Sequence, residues 1–187
     1  MRRLLDLLLV LGMVGCGDPV EKLGGKILRD QQGVAVGVSF FSTKIPVTNE
    51  ALVQVAGMTN LQVLDLRNTP ITDAGLVHLQ GLNNLEILSL SDTQFTDAGL
   101  THLAELTSLK QIDLTSTSIS DAGCVLLARL TNLESLNLTG TQVTDTALEY
   151  FRGLTNLQHL SLEHTQVTDA GLEFLQRALP NCRMWMY

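Results

Sequence analysis

Apolar residues in this chain recur at a fixed period. From Leu61 onward the pattern L-x-x-L-x-L-x-x-T-x-hydrophobic-T-D-A-G-L returns, with few substitutions, at Leu85, Leu109, Leu133 and Leu157, 24 residues apart each time. Self-similarity at one unvarying period predicts stacked supersecondary units rather than a single rounded core. Within a unit the periodicity changes. Leu61, Leu64 and Leu66 fit a turn running into a short strand, whereas Leu76, Leu79 and Leu82 lie on one helix face. Thr72-Asp73 and its counterparts Thr96-Asp97, Ser120-Asp121, Thr144-Asp145 and Thr168-Asp169 open the helical stretch. Side-chain oxygens there can accept the first free helix N–H groups, and capping by itself accounts for the periodic aspartates. Thr69, Thr93, Thr117, Thr141 and Thr165 form a further column, whose hydroxyls are expected to bridge adjacent turns. Gly75, near a helix start, allows neighbouring helices to pack closely. One unit cannot bury its aliphatic edge alone, so stability is expected to be a property of neighbours in the stack.

The pattern decays at both ends. Val20-Glu21-Lys22-Leu23 predicts one helical turn, stopped by Gly24-Gly25. Residues 26–29 and 34–41 predict two strands joined by the turn Asp30-Gln31-Gln32-Gly33, together a cap over the first repeat. Residues 35–60 read as a degenerate repeat. Val38 and Phe40 stand for Leu64 and Leu66, Ile45 stands for Ile71, and Pro46-Val47 is a two-residue insertion before Thr48-Asn49-Glu50-Ala51-Leu52. At the far end Cys182, Trp185 and Tyr187 are expected to point inward after a one-residue insertion near Ala178.

Composition narrows the function. The net charge of −7, with no Lys/Arg cluster, speaks against a nucleic-acid partner and against an anionic membrane surface for the folded part. Cys124 and Cys182 replace inward leucines and read as small core residues. No C-x-x-C pair is present. The histidines fall into two sets, His78 with His102 on the helix side and His159 with Glu163 and His164 near the last regular strand, and neither set supplies three convergent metal ligands. No catalytic constellation, metal site or cofactor site is expected.

The first residues have a layout of their own. Met1-Arg2-Arg3 is basic, Leu7 to Val14 is apolar, and Gly15-Cys16-Gly17 follows. This is the order of a secretory signal. Met13-Val14-Gly15-Cys16 resembles a bacterial lipobox, which implies cleavage before Cys16 and a lipid such as palmitate on its sulfur. The alternatives for the same residues are a plain secretory leader or a buried amphipathic start.

Leu61-x-x-Leu64-x-Leu66 followed by Thr72-Asp73-Ala74-Gly75-Leu76 resembles the leucine-rich repeat superfamily, in its ribonuclease-inhibitor-like bacterial form. The resemblance implies an α/β solenoid, a horseshoe with a parallel sheet on the concave side and helices on the convex side. It implies a monomeric, non-catalytic module that binds another protein. The expected division is a signal peptide over 1–15, a lipid-anchored linker and cap over 16–34, and a repeat domain over 35–187. That domain comprises the degenerate repeat 35–60, regular repeats over 61–181 and a closing strand over 182–187. The expected location is exported, either membrane-anchored through Cys16 alone or periplasmic or extracellular. A cytosolic substrate-recognition adaptor of a ligase-type complex is the alternative.

Strand residues between the inward leucines would face the concave side. One column is Val63, Ile87, Gln111, Ser135, His159 and Met184; the next is Asp65, Ser89, Asp113, Asn137 and Ser161; a third is Arg67, Ser91, Thr115, Thr139 and Glu163. From these the expected binding residues are Val63, Asp65, Arg67, Ile87, Gln111, Asp113, Asn137, His159 and Glu163. Interface anchors are usually Trp, Tyr or Arg, and only Arg67 qualifies among them.

Overall fold

The computed structural model describes residues 17–43 and 47–186. Cys16, the segment before it, Lys44 to Pro46 and Tyr187 lie outside the described residues. A short helix α1 (Pro19–Lys22) leads into the hairpin β1 (Lys26–Arg29) and β2 (Ala35–Ser39). Asp18 caps α1 by accepting from the Val20 N–H at 3.0 Å. One strand per repeat follows: β3 (Val63–Asp65), β4 (Ile87–Ser89), β5 (Gln111–Asp113), β6 (Ser135–Asn137), β7 (His159–Ser161) and β8 (Arg183–Trp185). They form one eight-stranded sheet in chain order, antiparallel between β1 and β2 and parallel from β2 onward. Val63 pairs with Ile87, Ile87 with Gln111, Gln111 with Ser135 and Ser135 with His159, so the period of the sequence is the register of the sheet.

The opposite wall becomes more helical along the chain. A 3-10 segment (Asn49–Gln54), α2 (Asp73–Leu76) continued by 3-10 turns (Val77–Leu79), and a further 3-10 segment (Gly99–His102) precede longer helices. Those are α3 (Asp121–Leu127), α4 (Asp145–Phe151) and α5 (Asp169–Ala178). The result is an α/β leucine-rich solenoid with flanking helices. Its core is a set of buried columns: Leu64, Leu88, Ile112, Leu136 and Leu160 behind the strands, and Ile71, Phe95, Ile119 and Val143 under the turns.

Side chains between the rungs are arranged differently from the sequence expectation in two respects. The threonine hydroxyls do not bridge repeats. Thr69, Thr93, Thr117 and Thr141 each donate at 2.6 Å to the carbonyl three residues earlier, closing the turn of their own repeat. The aspartates are the bridge. Asp121 accepts the Thr144 N–H at 2.8 Å and the Thr144 hydroxyl at 2.6 Å, and Asp73, Asp97 and Asp145 hold Thr96, Ser120 and Thr168 in the same way. Asn49 takes the aspartate's place in the first, irregular repeat and holds Thr72. Capping is the work of the hydroxyl residues, since Ser120 and Thr144 accept from the N–H two positions on. The glycine of T-D-A-G-L is then explained by contact. A Cβ on Gly99 would lie 2.5 Å from Asp73 Oδ1, and one on Gly123 would lie 2.3 Å from Asp97 Oδ1.

Both irregular ends contain a correction. Val47 is not an inserted residue: it is buried immediately before Thr48, as Ile71 is before Thr72, so the extra residues lie ahead of it. At the other end β8 pairs Met184 with Leu160 and Trp185 with Ser161. Met184 therefore faces the core and Trp185 does not. Cys182, Met184 and Met186 alternate strictly, one residue shorter than L-x-x-L-x-L, and a one-residue slip in a strand exchanges its faces.

Candidate functional site

The outward positions of β3 to β8 make three columns, now seen to end in Arg183 and Trp185 rather than in Met184. Their two ends differ in what they offer. At the start of the array Asp65 is fully buried, at 0 % exposure, and is withdrawn from any partner. It accepts a forked pair of bonds from Arg67 at 2.8 Å each and a third from the Ser39 hydroxyl at 3.1 Å. Arg67 is also stacked over the Phe41 ring, 4.4 Å from its centre. The one arginine anchor of the sequence reading is thus tied down by its own strand and the cap, with 21 % of its side chain exposed.

The middle of the face is shallow. Val63, Ile87, Gln111, Asp113 and Asn137 are half-buried. Asp113 accepts from the N–H and hydroxyl of Thr115, and Asn137 accepts from the Thr139 N–H, so part of their polar capacity is spent on holding the next turn. Ser89 is buried, and its hydroxyl is unpartnered.

The far end is open. His159 and Arg183 are exposed neighbours in register across β7 and β8. Trp185 is 42 % exposed, and its ring centre lies 5.6 Å from that of His159 in a tilted arrangement. Diagonal cross-strand neighbours of this size are within reach of each other. Glu163 is half-buried in the turn after β7, and His164 beyond it is exposed, with its backbone at φ 55°. Sequence reasoning missed Trp185 and Arg183 because it extended L-x-x-L-x-L one rung too far. The alternation of Cys182, Met184 and Met186 is the signal that would have found them.

Other polar groups serve the stack. Lys110 pairs with Glu86 at 2.9 Å, and the hydrogen bond to Glu86, with the nearby Glu86 and Glu134 charges, raises its pKa. This pair lies in an open polar trough of about 430 Å³ along the entry edge of the sheet. There Asn132 and Asn156 donate to the Thr107 and Thr131 carbonyls of the preceding repeat at 2.8 and 2.9 Å. His102 Nδ1 lies 2.8 Å from Gln80 Nε2, so that ring is engaged by a neighbouring repeat. Among the described residues no three His, Cys, Asp or Glu side chains are placed to hold a metal ion. Cys124 and Cys182 are free, buried thiols; burial pushes the Cys182 pKa up to about 11 and that of Cys124 higher still.

Two family models describing leucine-rich repeats match this chain, one in two copies over residues 59–105 and one over 105–128, 129–151 and 153–175. The chain belongs to the leucine-rich repeat family. No curated protein matches it. Solved structures do. The crystal structure of an internalin (InlF) from Listeria monocytogenes is similar, with a TM-score of 0.61 and 31 % identity over 72 % of this chain. Internalin C2 from the same organism gives 0.58 and 28 % identity, also over 72 % of this chain. A structure titled PEPR1-AtPEP1 shares the fold alone, at 0.55 and 14 % identity over 84 % of this chain. The matches span 37 % and 55 % of the two internalins. Leucine-rich repeat proteins typically mediate protein–protein interaction and are generally non-catalytic. Among the described residues no helix is long and apolar enough to cross a membrane.

Proposed function

We propose that this leucine-rich repeat chain is a non-catalytic protein-binding module of the bacterial cell envelope. Its outward strand face meets the partner, with contact centred on β7 and β8. The observation that carries this reading is the outward turn of Trp185 against His159, which supplies the kind of anchor the rest of the face lacks. Gln111, Asp113, Asn137 and Glu163 form the surrounding polar surface, with Val63 and Ile87 as shallow apolar contact further out. Asp65 and Arg67 act as a brace for that surface.

Residues 1–15 are a signal peptide in this reading, residues 16–34 a linker and cap held to the membrane through lipid on Cys16, and residues 35–187 the recognition domain. The basic, apolar and small-residue order of the first 16 positions supports export. Two experiments test the proposal. Intact mass of the protein from a bacterial envelope should give a chain beginning at acylated Cys16; a chain retaining Met1 and recovered from cytosol overturns the location. A photo-crosslinking residue placed at Gln111 or His159 should give discrete adducts in the native envelope, whereas one at Val125, an exposed apolar residue of α3, should not. Equal adducts from Val125 overturn the assignment of the face.

A further inference from the structure

The end of the strand face that carries Trp185 also carries a charge with no carboxylate opposite it among the described residues. In the repeats from β3 to β8, Arg67, Lys110, Arg129, Arg152 and Arg177 each have a carboxylate within 4 Å. Arg183 has none among the described residues, and it is exposed in a chain whose net charge is −7. Its in-register neighbour is His159, a second nitrogen donor, and Trp185 stands two residues further along the same strand. The three side chains share one face, because residues 183 and 185 alternate with the inward Met184. A guanidinium and an imidazole beside an exposed indole ring make a two-part receptor. Arg183 presents a planar fork of donors that matches a carboxylate, with the His159 ring nitrogens beside it. The Trp185 ring offers an apolar shelf next to it.

Resting on the proposed function above, we infer that this end of the face recognises a peptide segment bearing a carboxylate next to a bulky apolar side chain. The carboxylate goes to Arg183 and His159 and the apolar side chain lies on Trp185. A peptide is favoured over a glycan because leucine-rich repeat proteins typically engage proteins. The small side chains leading up to the site, buried Ser89 and Ser135 with half-buried Thr115, Asn137, Thr139 and Ser161, leave room for an extended backbone to continue across the sheet.

Trp185 is the only tryptophan in the chain, so its fluorescence reports this site alone. The probes are two acetylated, amidated dipeptides, Phe-Glu and Phe-Gln, titrated into the full chain. Phe-Glu should shift or quench the emission with an apparent Kd about tenfold tighter than Phe-Gln, corresponding to ~1.4 kcal/mol. In the Arg183→Gln variant the two peptides should become equal, while far-UV circular dichroism and melting temperature stay unchanged because Arg183 is exposed. Equal affinities in the wild-type chain, or a preference that survives Arg183→Gln, overturn the inference. So does a chitin trisaccharide that binds more tightly than Phe-Glu, which would mark the shelf as a glycan site. Adducts from Gln111 in the crosslinking experiment, together with a failed peptide preference, would leave the protein-binding face standing and remove only this assignment of its ligand.

Discussion

The aspartate ladder is where a single substitution should be felt most directly between two repeats. In Asp121→Ala the Thr144 N–H and hydroxyl lose their common acceptor, at 2.8 and 2.6 Å. Hydrogen bonds to a charged group contribute about 1.5–3 kcal/mol each when buried, and both partners here are only half-buried, so roughly half of that sum applies. Asp121 also opens α3, where a carboxylate interacts favourably with the helix N-terminus by about 0.3–1 kcal/mol. The expected loss is about 2–4 kcal/mol, or a fall of ~5–12 °C in Tm for a chain of this size. Asp121→Asn keeps the shape and the bond from the Thr144 N–H, and should cost about half as much. Urea unfolding of both variants, with Glu149→Ala as an exposed control expected within ~0.5 kcal/mol, measures the terms. A second arm uses the contact with glycine. Gly99→Ala would press a Cβ against Asp73 Oδ1 and Leu76 Cδ1, at 2.5 and 2.8 Å, and should cost about 1–3 kcal/mol less the gain in helix propensity. Adding Asp73→Ala should relieve part of that cost, a coupling of about 1 kcal/mol. The chain itself places Ala147 in this column with the Asp121 bonds intact, so the low end of the range is expected. If Asp121→Ala behaves like Glu149→Ala, or if the two arms add without coupling, the ladder does not hold the rungs.

Three further outcomes follow from single sites. His164 occupies the left-handed region at φ 55°, where Gly140 sits at φ 70° one repeat earlier, so His164→Gly should raise stability by about 0.5–1 kcal/mol and Gly140→Ala should lower it by a similar amount in thermal melts. Asp65→Ala removes the acceptor of both Arg67 guanidinium bonds and of the Ser39 hydroxyl bond, and should cost roughly 2–4 kcal/mol in chemical denaturation, more than any other substitution on the strand face. The buried thiols have folded pKa values above the ordinary value of 9.0, about 11 for Cys182, so the folded state retains protons that the unfolded state gives up. That contribution is complete below about pH 9 and is lost as pH rises toward and past 11, so the urea midpoint of the wild-type chain should fall between pH 8.5 and ~10.5. Cys124→Ala combined with Cys182→Ala should flatten the fall, and neither thiol should label with iodoacetamide at pH 8 until the chain unfolds.

How much of this was legible in the residues depends on whether a feature repeats. Leu64 and Leu88 are buried at 0 % and 1 % because period and alternation alone assign their direction. The hairpin of Lys26–Arg29 and Ala35–Ser39 was readable from its turn residues. The T-D-A-G-L motif was recognisable as a helix start, but its aspartate points across to the next rung, and a one-dimensional pattern does not say which of two neighbours, 2 or 23 residues away, a carboxylate will meet. Asp65 looked like a surface charge because it sits at an outward strand position. It is buried because Arg67 and Ser39 close over it and Phe41 stacks on that arginine, and Ser39 and Phe41 belong to the irregular repeat. Trp185 was misplaced for a related reason, since the closing strand drops one residue from the pattern and each side chain after the deletion changes face.

The rungs are fastened away from the strand face, and this separates folding from recognition. Adjacent repeats are tied at the helix starts by the chain of Asn49–Thr72, Asp73–Thr96, Asp97–Ser120, Asp121–Thr144 and Asp145–Thr168 contacts. They are tied again at the entry edge by Asn84, Asn132 and Asn156 reaching back to carbonyls of the previous repeat. With the aliphatic columns between these two seams, side chains on β5 to β8 carry little of the load, and substitution there is cheap as long as the inward alternation is kept. The first strands are the exception, because Asp65 and Arg67 bind the cap to the array. Variation in partner preference should therefore concentrate at Gln111, Asn137, His159, Arg183 and Trp185. Alanine variants at Gln111, His159, Arg183 and Trp185 should melt within ~0.5 kcal/mol of the parent while differing in binding, whereas Asn137→Ala also loses the bond from the Thr139 N–H and should cost about 1 kcal/mol. A destabilisation of Trp185→Ala comparable to that of Asp65→Ala would show that the indole closes the stack and would remove the basis for treating it as a contact residue.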